Sequence, residues 1–226
     1  MQWLEKLWWW TVGSIQYMRA RRKDLAASLS IWTEFERWEE TCVPSYCHPN
    51  VLAAWVSWSR LFSAVALARK LGAKGPVLDF GASIGELGRL VDPSWSYHFI
   101  EQDDLPARYL EETQPTAIRQ TLDTAPANFY GCVMALDSLE HNEDYELLLE
   151  RLAGKLGPHG CLIISGPTEN PLYRLGRRIA GFDAHYHVTN ISMIESAAAR
   201  RFELRERVRV PLGLPLFNVS GWSAKQ

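Results

Sequence analysis

Glu101 stands sixteen residues beyond Gly85, at the carboxyl end of the apolar run Tyr97-His98-Phe99-Ile100. A carboxylate so placed can accept hydrogen bonds from both hydroxyls of a ribose. The turn before it, Gly81-Ala82-Ser83-Ile84-Gly85, is made of small residues. Its glycines tolerate backbone angles closed to other residues and let a ligand approach the main chain, and amides opening a following helix would favour anionic groups. As a G-x-G-x-x-G dinucleotide signature the turn fails, because Ser83 and Glu86 stand where the second and third glycines belong. Farther along, Asp137, Glu140 and His141 form a D-x-x-E-H exit from the apolar run 129–136, and His185 and His187 flank Tyr186. Imidazoles at such a mouth suit general-base work near neutral pH.

These groups meet only if regular elements carry them to one edge. Strand patterns over 76–80, 96–101, 116–120, 129–136 and 160–165 alternate with helical patterns over 84–91, 104–112 and 143–156. That alternation predicts a parallel sheet covered by helices on both faces. Asn50 is a suitable cap for a long helix running to Leu71 and stopping at Gly72. A helix near 191–200 and two strand-like runs, 203–210 and 216–223, close the chain as a hairpin-like edge. Ligands of such open sheets bind at the carboxyl ends of the strands.

The glycine turn after Val77-Leu78-Asp79-Phe80, the carboxylate Glu101 and the Asp137-Ser138-Leu139-Glu140-His141 exit together resemble the class I S-adenosylmethionine-dependent methyltransferases, in particular the ubiquinone and type 11–23-like small-molecule branch. Pro158-His159-Gly160 and Ser165-Gly166-Pro167 add to the likeness, which covers roughly residues 50 to 224. The resemblance implies a Rossmann-like, mostly parallel α/β sheet of seven strands, the last antiparallel. It also implies S-adenosyl-L-methionine as cofactor, held by Asp79, Gly81, Ser83, Gly85, Glu101, Asp123 and Asp137. Glu101 would bind the ribose, Asp123 the adenine amino group, and Asp79 and Asp137 the methionine part. His141, His185 and His187 would be the candidate bases for methyl transfer to oxygen, or secondarily nitrogen, of a small or lipid-linked acceptor. Related quinone O-methyltransferases carry an acid-x-x-Glu-His pattern linked to divalent metal, but Asp137 is already claimed by the cofactor here, and the expected site holds no metal. A non-catalytic domain of this fold, binding a ligand or partner, is the alternative. A nicotinamide enzyme is disfavoured by Ser83 and Glu86.

Composition bounds the partners. A net charge of −2 and an isoelectric point near 6.3 supply no basic field to track a phosphate backbone, so nucleic acid is not expected. Four cysteines without a C-x-x-C pair fit a reduced, cytoplasmic chain. Eight of the ten tryptophans fall in the first sixty residues, which sets a Trp-rich helical extension, 1–49, apart from a domain over 50–226. Helical patterns are expected over 2–19 and 24–40. The first, aromatic on one arc and ending in Arg19, Arg21, Arg22 and Lys23, has the composition of a helix lying on a membrane surface. Packing on the domain or on a twin subunit, as a homodimer, is the competing expectation. The segment Asn170 to Phe182 reads as a lid helix with Arg174, Arg177 and Arg178 on a basic side.

Overall fold

A computed structural model describes residues 13–31, 33–38, 41–179 and 189–225. One sheet of seven strands forms the frame, in the order β3-β2-β1-β4-β5-β7-β6: β1 (Val77–Phe80), β2 (Tyr97–Ile100), β3 (Ile118–Arg119), β4 (Tyr130–Leu136), β5 (Leu156–Pro167), β6 (Phe202–Val210) and β7 (Phe217–Ala224). The first five run parallel, and β7 inserts antiparallel between β5 and β6. β1 and β2 are buried at every residue, which is why they read as unbroken apolar runs rather than alternations.

Helices cover both faces, in chain order α1 (Ser14–Ser28), α2 (Val43–Tyr46), α3 (Val51–Lys70), α4 (Asp104–Thr113), α5 (Tyr145–Ala153), α6 (Pro171–Ile179) and α7 (Ile191–Arg201). Val77 and Phe99 point into one apolar cluster with α1, α3 and α4, while Leu78, Phe80 and Val133 point into another with α5 and α7. The expected Asn50 cap is present. Asn50 Oδ1 accepts from the Leu52 amide at 2.9 Å, and Asp103 and Asn190 cap α4 and α7 in the same way. α3 is apolar and long enough to cross a bilayer, yet most of it is buried in the molecule as the central helix of the first cluster.

Three expected helices differ. α1 begins within the first expected span and continues to Ser28, past residue 19, while residues 2–12 lie outside the described residues. The pattern over 24–40 is not one helix. The chain turns at Leu29 and Ser30, where Ser30 has φ +48°, and passes through a 3₁₀ turn at Phe35–Arg37. Leu29, Ile31 and Trp38 are buried even so, which explains the apolar periodicity without a continuous helix. Residues 84–91 form successive tight turns, with Gly88 N bonded to Gly85 O and Leu90 N to Leu87 O. Gly85 at φ +76° breaks helical geometry, and Gly88 lies so close to the Tyr97 ring that an added Cβ would stand 2.6 Å from it.

α1 is docked on the domain. Met18 and Leu25 are fully buried, and Tyr17 meets the rings of Trp58 and Phe62 edge-on at 5.8 and 6.4 Å. Arg21 makes a two-pronged pair with buried Glu86, its shortest contact 2.7 Å, and Arg22 donates to the carbonyls of His48 and Pro49. Two of the four cations expected at a membrane are therefore used inside the molecule. Packing is continuous across residues 49 and 50, since α1, α2 and α3 share one cluster with the sheet.

Candidate functional site

The parallel register puts the carboxyl ends of β1, β2, β4 and β5 on one edge. There the turn after β1 folds back on β2: the amides of Gly81 and Ala82 donate to the Ile100 carbonyl, at 2.9 and 3.2 Å. Gly81 has φ +75°, and a Cβ on it would lie 2.4 Å from Ser138 Cβ, so only glycine lets this turn meet the exit of β4. Ser83 holds φ +49° without being glycine. Its amide donates to Glu101 Oε2 at 2.7 Å, and Glu101 Oε1 accepts from the Asp103 amide at 2.9 Å. A carboxylate has roughly four acceptor positions. Two hold the backbone here, which leaves two on a half-buried group, the number a ribose diol needs.

Asp79, expected at the methionine part of the cofactor, is buried and accepts from the Tyr97 hydroxyl at 2.6 Å. Burial pushes its carboxyl up to about 7, against the pull of that hydrogen bond.

Asp137, at φ +52°, makes three contacts with two residues. Its carboxylate pairs with the buried Arg60 guanidinium and accepts from Ser165 Oγ at 3.0 Å, while its amide donates to the Ser165 carbonyl. Arg60 also donates through Nε to Ser57 O and lies 4.4 Å above the Phe217 ring. Burial alone would lower the Arg60 pKa, but Asp137 and then Tyr46 outweigh it and hold the cation firmly charged. Next to this pair, Glu140 is fully buried with neither carboxyl oxygen hydrogen-bonded. Desolvation first, and Asp137 second, push its pKa well above the usual carboxylate range. The Oγ atoms of Ser83 and Ser138 are likewise buried without partners. Four orphaned polar atoms at one strand edge fit a polar ligand that would satisfy them.

The remaining candidates are spread more widely. His141 ends the 3₁₀ turn Leu139–His141 and is exposed. Asp123 is exposed beside the sheet, ion-paired with Arg151, and its own amide donates to Thr121 Oγ1. His185 and His187 lie outside the described residues. Among the described residues no group of three His, Cys, Asp or Glu side chains is arranged to hold a metal ion. The sequence pattern assigns no site role to Arg60 or Tyr97, although Arg60 leaves a signal as the only charged residue between Val51 and Ala68 of α3.

The family model described as "Methyltransferase domain" matches residues 55–203, more than half of the chain, and the chain belongs to that family. No curated protein sequence matches it. Among solved structures it is similar to the PH0226 protein of Pyrococcus horikoshii OT3, with TM-score 0.65, 15% identity, and 84% of this chain and 99% of that one covered. It is also similar to the magnesium protoporphyrin IX methyltransferase of Synechocystis PCC 6803 with bound S-adenosyl-homocysteine, at TM-score 0.63, 16% identity and coverages of 85% and 95%. The N-methyltransferase NodS of Bradyrhizobium japonicum WM9, in complex with S-adenosyl-L-homocysteine, matches at TM-score 0.61, 14% identity and coverages of 76% and 88%. At these identities the likeness is one of fold, and the fold is the Rossmann-like methyltransferase sheet that the strand order describes.

Proposed function

We propose that the chain moves a methyl group from S-adenosylmethionine to an oxygen, or secondarily a nitrogen, of a small or lipid-linked acceptor. The observation that carries the reading is Glu101, which braces the glycine turn through the Ser83 amide and keeps acceptor positions for a ribose. When bound, the cofactor supplies an electrophilic methyl on a cationic sulfonium. Everything else falls to the chain's own groups. Gly81 and Ser83 offer main chain at close approach, and the opposed charges of Arg60 and Asp137 suit the carboxylate and amine of the methionine part. Alignment and exclusion of water supply most of the acceleration in such a displacement. The buried Arg60, Tyr46 and Tyr173 around the strand edge support a dry site. An oxygen acceptor must also lose a proton, and His141, four residues past Asp137 at the exit of β4, is the described imidazole offered for that role.

Support for a lipid-linked acceptor comes from the Trp-rich segment before α1 and from the basic, leucine-bearing helix α6. The reading is tested by melting the protein with and without sinefungin or S-adenosylhomocysteine. A ligand present at 100 times its dissociation constant stabilises the folded state by about 2.7 kcal/mol. A well-folded chain whose melting temperature neither ligand moves would remove the assignment.

A further inference from the structure

Four leucines project near the site with a basic surround. Leu172 and Leu175 on α6 are 44% and 53% exposed, and Leu212 and Leu214 in the β6–β7 connection are 87% and 50% exposed. The two segments are tied together: Asn170 Nδ2 and Thr168 Oγ1 both donate to the Pro215 carbonyl, at 2.5 and 2.7 Å. α6 turns Tyr173 inward, edge-on to Phe217 at 5.2 Å, with Arg177 above the Tyr173 ring. Leu172 and Leu175, three residues apart on the helix, share an outer face, and Arg174 and Arg178 are exposed beside it. Arg209, also exposed, precedes the leucine-bearing connection, and α6 contains no acidic residue.

The placement of this patch follows from strand register. Phe217 pairs with both Pro167 at the end of β5 and Val210 at the end of β6. The connection 211–216 therefore stands at the carboxyl edge of the sheet, the edge that carries Gly81, Glu101 and Asp137. Through Tyr173 and Phe217 it adjoins the ring on which the Arg60 guanidinium rests.

We infer that α6 and the β6–β7 connection form a docking surface for a bilayer containing anionic phospholipid, and that it seats the mouth of the methyl-transfer site at the headgroup level. Exposed leucines on two adjoining segments suit insertion among headgroups, and the flanking exposed arginines answer phosphate charge. The inference deepens the lipid-linked reading of the acceptor. It differs from a contact through residues 2–23, because the surface is drawn from α6 and the β6–β7 connection.

The test uses the full chain and needs no methyl acceptor, so it can fail while the methyltransferase assignment stands. Co-sedimentation with vesicles of phosphatidylcholine and phosphatidylglycerol is compared with pure phosphatidylcholine, for the native chain and for Leu175→Glu/Leu212→Glu and Arg174→Gln/Arg178→Gln. Binding at least tenfold stronger to the anionic vesicles is expected, and each double variant should lose most of it while keeping the native thermal response to S-adenosylhomocysteine. Three results overturn the inference: no vesicle binding, native-like vesicle binding by both variants, which would assign the contact elsewhere, or a dimer in solution that the leucine variant dissolves.

Discussion

Replacing Glu101 removes two interactions that the structure separates. In the free chain its oxygens hold the Ser83 and Asp103 amides at 2.7 and 2.9 Å, so Glu101→Ala leaves two backbone donors to find water at a half-buried edge. Charge-assisted hydrogen bonds are each worth about 1.5–3 kcal/mol, and water replaces part of that here, so a loss of about 1–2 kcal/mol of stability is expected. For a chain of this size that is a fall in melting temperature of about 2–8 °C. Cofactor affinity loses in addition the two bonds to the ribose, a net of about 1.5–3 kcal/mol after water replaces part of them, or roughly 10- to 150-fold. Glu101→Gln makes the sharper test. An amide presents one oxygen and one NH₂, so its nitrogen must face a backbone N–H whichever way it is turned. Glutamine should therefore rescue neither stability nor affinity, although it is almost the same shape. Calorimetric titration with S-adenosylhomocysteine and thermal melting read the two effects independently. A glutamine variant that binds within twofold of the native chain would refute the assignment of Glu101 as the ribose carboxylate.

Gly81→Ala should abolish cofactor binding, because the added Cβ would stand 2.4 Å from Ser138 Cβ at φ +75°. Adding Ser138→Gly removes the collision but leaves about 1–2 kcal/mol of backbone strain, so calorimetry should show partial recovery, and full recovery would contradict the strain argument. Arg21→Ala leaves the fully buried Glu86 with Arg89, 3.5 Å away, as its remaining ion-pair partner among the described residues. A cost of about 3 kcal/mol is expected, and a urea midpoint close to native would show that α1 is held by its apolar contacts alone. Asp79 gives a pH dependence. Its carboxyl is raised from 3.8 to about 7 in the folded chain, so between those values the folded state keeps a proton that the unfolded state has released. The stability this group contributes is fully present below its unfolded pKa and is lost as pH rises through about 7. Urea midpoints from pH 5 to 8 should accordingly decline less in Asp79→Asn than in the native chain, and parallel profiles would count against the buried-acid account.

The elements readable from sequence were those whose burial leaves a pattern within a few residues. β1, β2 and β4 are buried along nearly their whole length, and an unbroken apolar run needs no partner to be recognised. Glu101 was readable for a related reason, since its position at the end of such a run already implies the edge of the sheet. The 84–91 segment misled because Leu87, Leu90 and Val91 are buried at helical spacing, while tight turns set by Gly85 supply their backbone bonds. Arg60 could be seen only as a lone charge on an apolar helix. Its meaning depends on Asp137 and Phe217, which the fold brings from β4 and β7, and no local pattern encodes that meeting.

Among the described residues, the strand edge gathers four buried polar atoms without partners. Asp79 and Glu140 are buried acids with raised pKa values, the two carboxyl oxygens of Glu140 lack a hydrogen-bond partner, and the hydroxyls of Ser83 and Ser138 are orphaned at the same edge. Each unsatisfied buried polar group costs about 1–3 kcal/mol. Two apolar clusters on either face of the sheet offset that cost. A ligand that supplies donors to this edge would remove it directly, so stabilisation by the cofactor should come mainly from the turn and the β4 exit. That arrangement accounts for a rigid glycine turn braced twice through Glu101. The main chain is held ready at the site, and the polar side chains around it are left to be completed by what binds.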